Sequence, residues 1–204
     1  KHIIELGQEY EKAQNKIKSV SLNIIDEEYS YRRRGKLSYI FHSKTGKVLL
    51  EEAASGIQSV TPILLLIEFM NSNKVEFNYN FIIEEPELNL YPETQHNLIK
   101  HLVANCLDNV VLNKNLVITT HSPYILSSIN NLLMAYKKAQ VDRNKTNKII
   151  SEISWLNPER FAAYELKNGK AKSIMDKKHG LIKENMIDNV SDIFSREFER
   201  LMAI

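Results

Sequence analysis

The chain has 204 residues, with 27 Lys and Arg against 25 Asp and Glu, a formal charge of 27 − 25 = +2. Hydrophobic residues make up 43% and charged residues 25%, which excludes a disordered chain, a collagen, a disulfide scaffold and a membrane protein. The length suits one domain or two small ones, and the balanced charge gives no overall nucleic-acid footprint. Cys106 is the single cysteine, so no internal disulfide forms and a reducing compartment, the cytoplasm, is expected. The apolar stretch from Ile63 to Phe69 contains Glu68 and falls far short of the about twenty residues of a membrane span. The start, Lys1-His2-Ile3-Ile4-Glu5, has neither an initiator Met nor a signal-peptide core, and reads as a fragment or a processed chain.

In chain order, Ile3, Leu6, Tyr10, Ala13 and Ile17 fall on one face and predict an amphipathic helix over 3–18. Strands are predicted over 20–30 and 37–42, joined by Tyr31-Arg32-Arg33-Arg34-Gly35, with a turn at Ser43–Gly46 before Val48. An apolar helix follows over 57–70, with Pro62 expected to kink or break it. Phe81-Ile82-Ile83 reads as a strand of a buried parallel sheet. Pro92 and Glu93 open the next helix, whose buried face is Leu98, Ile99, Leu102, Val103 and Cys106. Leu116–Thr119 is a second buried strand, and 124–138 is helical. Gln140–Lys148 is polar and linker-like. Ile153–Leu156, Ala163–Leu166 and Ala171–Ile174 suggest a small antiparallel unit turning at Asn168-Gly169 and packed around Trp155. A last amphipathic helix covers 181–202 through Ile182, Met186, Val190, Ile193, Phe194, Phe198 and Leu201. Strand, helix, strand, helix at the centre predicts an α/β fold with short parallel strands.

Three short stretches carry chemistry. Glu84 and Glu85 stand at the carboxyl end of an apolar strand, where open α/β sheets bind ligands. Adjacent acids repel, so the pair calls for a cation or a chemical use. In nucleotide hydrolases one such carboxylate holds Mg²⁺ and the next orients or deprotonates the attacking water. A solvated turn after a strand is the plainer alternative. His121 leaves the following strand before Ser122-Pro123, and reads either as a phosphate contact or as a residue capping the turn. Ala54-Ser55-Gly56-Ile57-Gln58-Ser59 precedes the apolar helix. Ser55 suits an N-cap, Gly56 lets a backbone or a phosphate come close, and the stretch is either an anion site or a plain helix start.

Taken together, in order and spacing, these stretches resemble the ABC-type ATPase fold. They are similar above all to the bacterial ATP-binding proteins of the OLD-like, AAA-labelled group, relatives of the SMC heads. Glu84–Pro92 resembles that group's Walker B and D-loop, Thr119–Leu126 its switch-histidine strand end, and Ala54–Ser59 stands where the signature motif belongs. The likeness is concentrated in 50–132. The resemblance implies roles: Glu84 as the Mg²⁺-side Walker B acid, Glu85 as the catalytic carboxylate and His121 as the γ-phosphate sensor. It also implies that Ser55 and Gly56, with Gln58 beside them, meet ATP held by an opposing protomer, and that Asn89, Leu90 and Tyr91 form the D-loop. Departures are Tyr91, where relatives carry Asp or His, the single glycine of the signature, and Pro62 within the signature helix.

A P-loop needs Gly-x-x-x-x-Gly-Lys-[Ser/Thr]. The glycines stand at 7, 35, 46, 56, 169 and 180, and no such motif occurs. In this ATPase class the P-loop lies N-terminal to the signature. The expectation is therefore a C-terminal lobe, residues 1–204, of a longer ATPase. Residues 1–49 would lead in, 50–132 would carry the motifs, and 133–204 would form the small β unit and last helix. Its expected partners are ATP with Mg²⁺, the missing P-loop half, a second copy across the signature, and DNA, in repair or phage defence. Arg32-Arg33-Arg34 reads as a solvated hairpin loop or a DNA contact. No Asp-x-Asp pair occurs, so nuclease chemistry is not expected within the chain. The rival class is a non-catalytic module that binds a protein or DNA.

Overall fold

The computed structural model describes residues 2–72, 80–107, 114–183 and 186–202, with backbone only for 2–6 and 186–193. The fold is mixed α/β, with parallel and antiparallel sheets, as the sequence predicts. It divides into two compact units, Lys1–Thr119 and Thr120–Ile204.

The first unit begins with α1 (His2–Lys16). Ala13 is buried and Tyr10 and Ile17 half-buried, as the spacing predicts, whereas Ile3 and Leu6 lie outside the described side chains. Then β1 (Ser19–Ser21), β2 (Tyr29–Arg34), β3 (Leu37–His42) and β4 (Gly46–Leu49) form an antiparallel meander in that order. Period-two alternation buries Tyr31 and Ile40 on one face and leaves Arg32 and Arg34 exposed on the other. The arginine run is thus strand rather than connector. The turn falls at Gly35, whose φ of 60° suits a residue without Cβ.

Helix α2 (Ser55–Ser72) runs unbroken through Pro62, against the expectation of a break. An interior proline costs about 3 kcal/mol. Val60, Leu64, Leu65, Ile67 and Phe69 are all buried along this helix, at about 1.5–3 kcal/mol each, so packing outweighs the lost hydrogen bond.

Strands β5 (Asn80–Glu84) and β6 (Asn115–Thr119) pair in parallel, with α3 (Pro92–Cys106) between them in sequence. All five apolar residues predicted for the inner face of α3 are buried. Burial also pushes the Cys106 thiol up to about 12, so it is inert at neutral pH. The strand pair departs from the fully buried expectation. Phe81 is buried, but Ile82 is 71% exposed and its partner Val117 is 52% exposed. One face of the parallel pair is open.

In the second unit, α4 (Pro123–Ala139) packs with α5 (Arg143–Ile149). The predicted linker contains this short helix because Asp142 caps it, accepting from the Lys145 N–H at 2.9 Å. Residues 153–156 hold no strand. A 3-10 turn covers Glu152–Ser154, and Trp155 beyond it donates Nε1–H to the Ile150 carbonyl at 2.8 Å. Strands β7 (Tyr164–Lys167) and β8 (Lys170–Ser173) form the predicted hairpin, with Asn168 and Gly169 both at positive φ. Strands β9 (Met175–Asp176) and β10 (Leu181–Ile182) form a second, shorter pair. The last helix, α6 (Met186–Met202), starts after Ile182, which belongs to β10. Phe194, Phe198 and Leu201 are exposed along it, and the side chains of Met186, Val190 and Ile193 lie outside the described residues. Among the described residues no helix is long and apolar enough to cross a membrane.

Candidate functional site

The carboxyl end of β5 holds the acidic pair. Glu84 shares the open face with Ile82, two residues before it, and lies in register with Thr119 of β6. Glu85 is half-buried, and its backbone leaves the strand at φ 43°. A residue with a Cβ resists that conformation by about 1–2 kcal/mol. Two contacts hold it there: the Glu85 N–H donates to the Thr119 carbonyl at 3.0 Å and lies 3.3 Å from Thr119 Oγ1. Strained backbone of this kind survives only where its surroundings over-determine it, and it gathers at functional sites.

Beyond Glu85 the chain is fastened residue by residue. The Glu85 carbonyl accepts from Leu88 N–H at 3.1 Å, and the Glu87 carbonyl accepts from Leu90 N–H at 3.0 Å. Gln95 Nε2 donates to the Leu90 carbonyl at 2.9 Å. Tyr91, 83% exposed, precedes Pro92 at the start of α3 as predicted. Glu87 is buried, a third carboxylate that attention to the adjacent pair passed over. The run Glu84-Glu85-Pro86-Glu87 was the available signal.

Helix α2 meets this loop at Gly56. A Cβ built there would lie 2.5 Å from the Asn89 carbonyl oxygen and 3.0 Å from Leu90 Cδ2. Asn89, itself at φ 61°, donates from Nδ2 to Ser59 Oγ at 3.5 Å. So the glycine admits a neighbouring backbone, and two stretches about thirty residues apart in sequence form one structure. Ser55 is exposed and is the first helical residue, not the cap, because the Ala54 carbonyl already accepts from Ile57 and Gln58. Gln58 Nε2 donates to the Glu51 and Ala53 carbonyls at 3.0 and 2.7 Å, which pins the segment entering the helix.

In the second unit, His121 is exposed ahead of α4. The capping falls to its neighbour: Ser122 Oγ accepts from Tyr124 N–H at 3.2 Å, and Ser122 N–H donates to Thr120 Oγ1 at 3.0 Å. A shallow cavity of about 400 Å³ in the same unit is lined by Lys137, Lys177, Lys178 and His179 among others, and by none of the sequence-predicted site residues.

No group of three or more His, Cys, Asp and Glu among the described residues forms a metal cage. Mg²⁺ does not require one: it keeps several waters and takes one or two carboxylates together with substrate phosphates. An exposed strand-end carboxylate such as Glu84 fits that donor set.

The loop after β5 and the first turn of α2 thus form one junction at the carboxyl end of a parallel strand. A solved structure from work on ATP-driven dimerization and DNA-stimulated activation of SMC ATPases has a similar fold, with a TM-score of 0.50 and 6% identity over 93% of this chain and 92% of that chain. The AAA ATPase domain family matches residues 1–126, and the chain belongs to that family. The matched span takes in Ser55, Gly56, Gln58, Glu84, Glu85, Asn89, Tyr91 and His121. No curated protein matches.

Proposed function

We propose that this chain supplies the signature, Walker B and D-loop side of an OLD-like, ABC-type ATPase head. The observation that carries the reading is the Glu84-Glu85 pair at the end of a parallel strand, with Glu85 held at positive φ by Thr119. Glu84 is the residue for Mg²⁺, which when bound neutralises phosphate charge. Glu85 orients the attacking water and takes its proton. His121 contacts the γ-phosphate. Ser55 and Gln58, exposed at the start of α2, and Tyr91 on the D-loop face the nucleotide of an opposing copy. Gly56 contributes by letting Asn89 seat against the helix.

The P-loop comes from another segment. Parallel strands are covered on both faces in α/β proteins, and the open Ile82–Val117 face is the surface such a segment would cover. The domain segmentation into 1–49, 50–132 and 133–204, dimerisation across the signature, and DNA as effector in repair or phage defence belong to this reading. In the complete protein, Glu85→Gln is expected to cut steady-state ATP turnover by about 10²–10⁴-fold while nucleotide binding persists. Unchanged turnover would overturn the reading in favour of a non-catalytic interaction module.

A further inference from the structure

The four strands β1–β4 contain no Asp or Glu, and they carry Arg32, Arg33, Arg34 and Lys47. From Lys18 to Leu49 there are seven Lys and Arg against three acids, 7 − 3 = +4, in a chain whose total is +2. The three acids, Asp26, Glu27 and Glu28, all lie in the β1–β2 connection. Glu28 is already paired with Lys44 at 2.6 Å and His42 at 3.2 Å.

Register decides where the cations go. Arg32 pairs with Tyr39, and Phe41 with Lys47, so Arg32, Arg34, Tyr39, Phe41 and Lys47 share one face of the sheet. The Arg32 and Arg34 guanidinium carbons lie 4.6 and 5.2 Å from the Phe41 ring centre. Lys47 Nζ lies 4.6 Å from the Tyr39 ring and 6.0 Å from that of Phe41. Cation–π contacts of weight occur about once per 70–80 residues, so four on one sheet face is a concentration. The rings hold three exposed cations in place, and among the described residues none of the three is in an ion pair with a carboxylate. Fixed, exposed and uncompensated cations in a row fit a polyanion with regularly spaced charges.

We propose that this face of the β1–β4 sheet binds nucleic acid through its phosphate backbone, without reading sequence. The surface shares no residue with the carboxylate loop, and its binding needs no nucleotide. Three phosphate contacts give a log–log salt slope of about −2.7 on duplex DNA and about −2.1 on a single strand. Duplex affinity then falls about forty-fold between 50 and 200 mM salt.

The test is fluorescence anisotropy of the 204-residue chain with a labelled duplex, the corresponding single strand and a polyglutamate peptide. Arg34→Gln is expected to lower the duplex slope by about 0.9, and Lys47→Gln likewise. Arg34→Lys, which keeps the charge, is expected to restore it, and Lys148→Gln in the second unit to leave it unchanged. Circular dichroism of each variant checks folding. Single-strand binding above the duplex would add base stacking on Tyr39 and Phe41, and equal binding would mean phosphate contact alone. Polyglutamate bound as tightly as DNA, or an equal slope change from Lys148→Gln, would overturn the proposal. Glu85→Gln separates the two readings, since it is expected to leave DNA binding intact.

Discussion

Gly56→Ala tests the junction between helix α2 and the loop after β5. The new methyl would sit 2.5 Å from the Asn89 carbonyl oxygen, against ordinary contact beginning near 3.4 Å, so the carbonyl must retreat by 3.4 − 2.5 = 0.9 Å. The obstacle is backbone, not the end of a flexible side chain. Asn89 cannot retreat freely, because it sits at φ 61° between the Leu88 and Leu90 turn bonds and reaches Ser59. Overpacking of this kind costs about 1–3 kcal/mol. Replacing a helical glycine by alanine returns at most about 0.5–1 kcal/mol. From the middle of each range, about 2 less about 0.75, the expected net loss is about 1 kcal/mol, or about 2–4 °C in Tm for a chain of this size. Thermal unfolding followed by circular dichroism reads it directly. Leu90→Ala in the same chain removes the 3.0 Å neighbour but not the carbonyl, so the double variant is expected to stay destabilised. A Tm equal to or above the parent's, as helix propensity alone would give, refutes the close-packed junction.

The remaining predictions concern groups outside the carboxylate loop. Burial holds both His96 and His101 below the ordinary histidine value, with Lys100 adding to the effect at His96. The folded state therefore disfavours protonation, so stability is complete above about pH 6.5 and lost as pH falls toward the folded values. The urea midpoint is expected to fall between pH 7.5 and 5.5, and by less in His101→Gln; identical slopes would contradict this. Cys106, pushed up to about 12 and fully buried, is expected to resist a thiol reagent until the chain unfolds, with modification of the native chain as the contrary result. Asn130 spans α4 and β10 with two bonds, Nδ2–H to the Ile182 carbonyl at 3.0 Å and Oδ1 from the Ile182 N–H at 2.8 Å. Asn130→Ala strands both partners and is expected to cost about 1–3 kcal/mol in denaturant unfolding. A loss below 0.5 kcal/mol, the ordinary range for surface changes, would show that water replaces them.

Elements fixed by local pattern were the legible ones. The proline-led start and apolar spacing of α3 foretold its buried face, and Asn168-Gly169 foretold the β7–β8 turn. What failed was decided by distant partners. Pro62 looked like a breaker because propensity is local, while the burial that sustains α2 is tertiary. The charged stretch before Ile150 read as linker because its short helix rests on packing against α4 as well as on the local cap at Asp142. At the site, the residue types and their spacing were readable. The fastening of Gly56 against Asn89 was not, because no pattern in either segment names the other.

The arginine run shows how register turns a composition into a surface. As a loop, Arg32-Arg33-Arg34 would be three equivalent solvated charges. As strand β2, the same residues divide by period two. Arg33 turns to the face of Tyr31 and approaches Ser38 Oγ at 3.4 Å, while Arg32 and Arg34 turn outward onto Phe41. The open face of β5 and β6 follows the same logic. Ile82, Val117 and Glu84 are brought to one side by alternation alone, so an apolar surface waiting for cover and the carboxylate proposed for Mg²⁺ lie along one strand face. A segment that packed on Ile82 and Val117 would arrive beside Glu84. In the proposed head, covering the parallel strands and completing the nucleotide site are therefore one event rather than two.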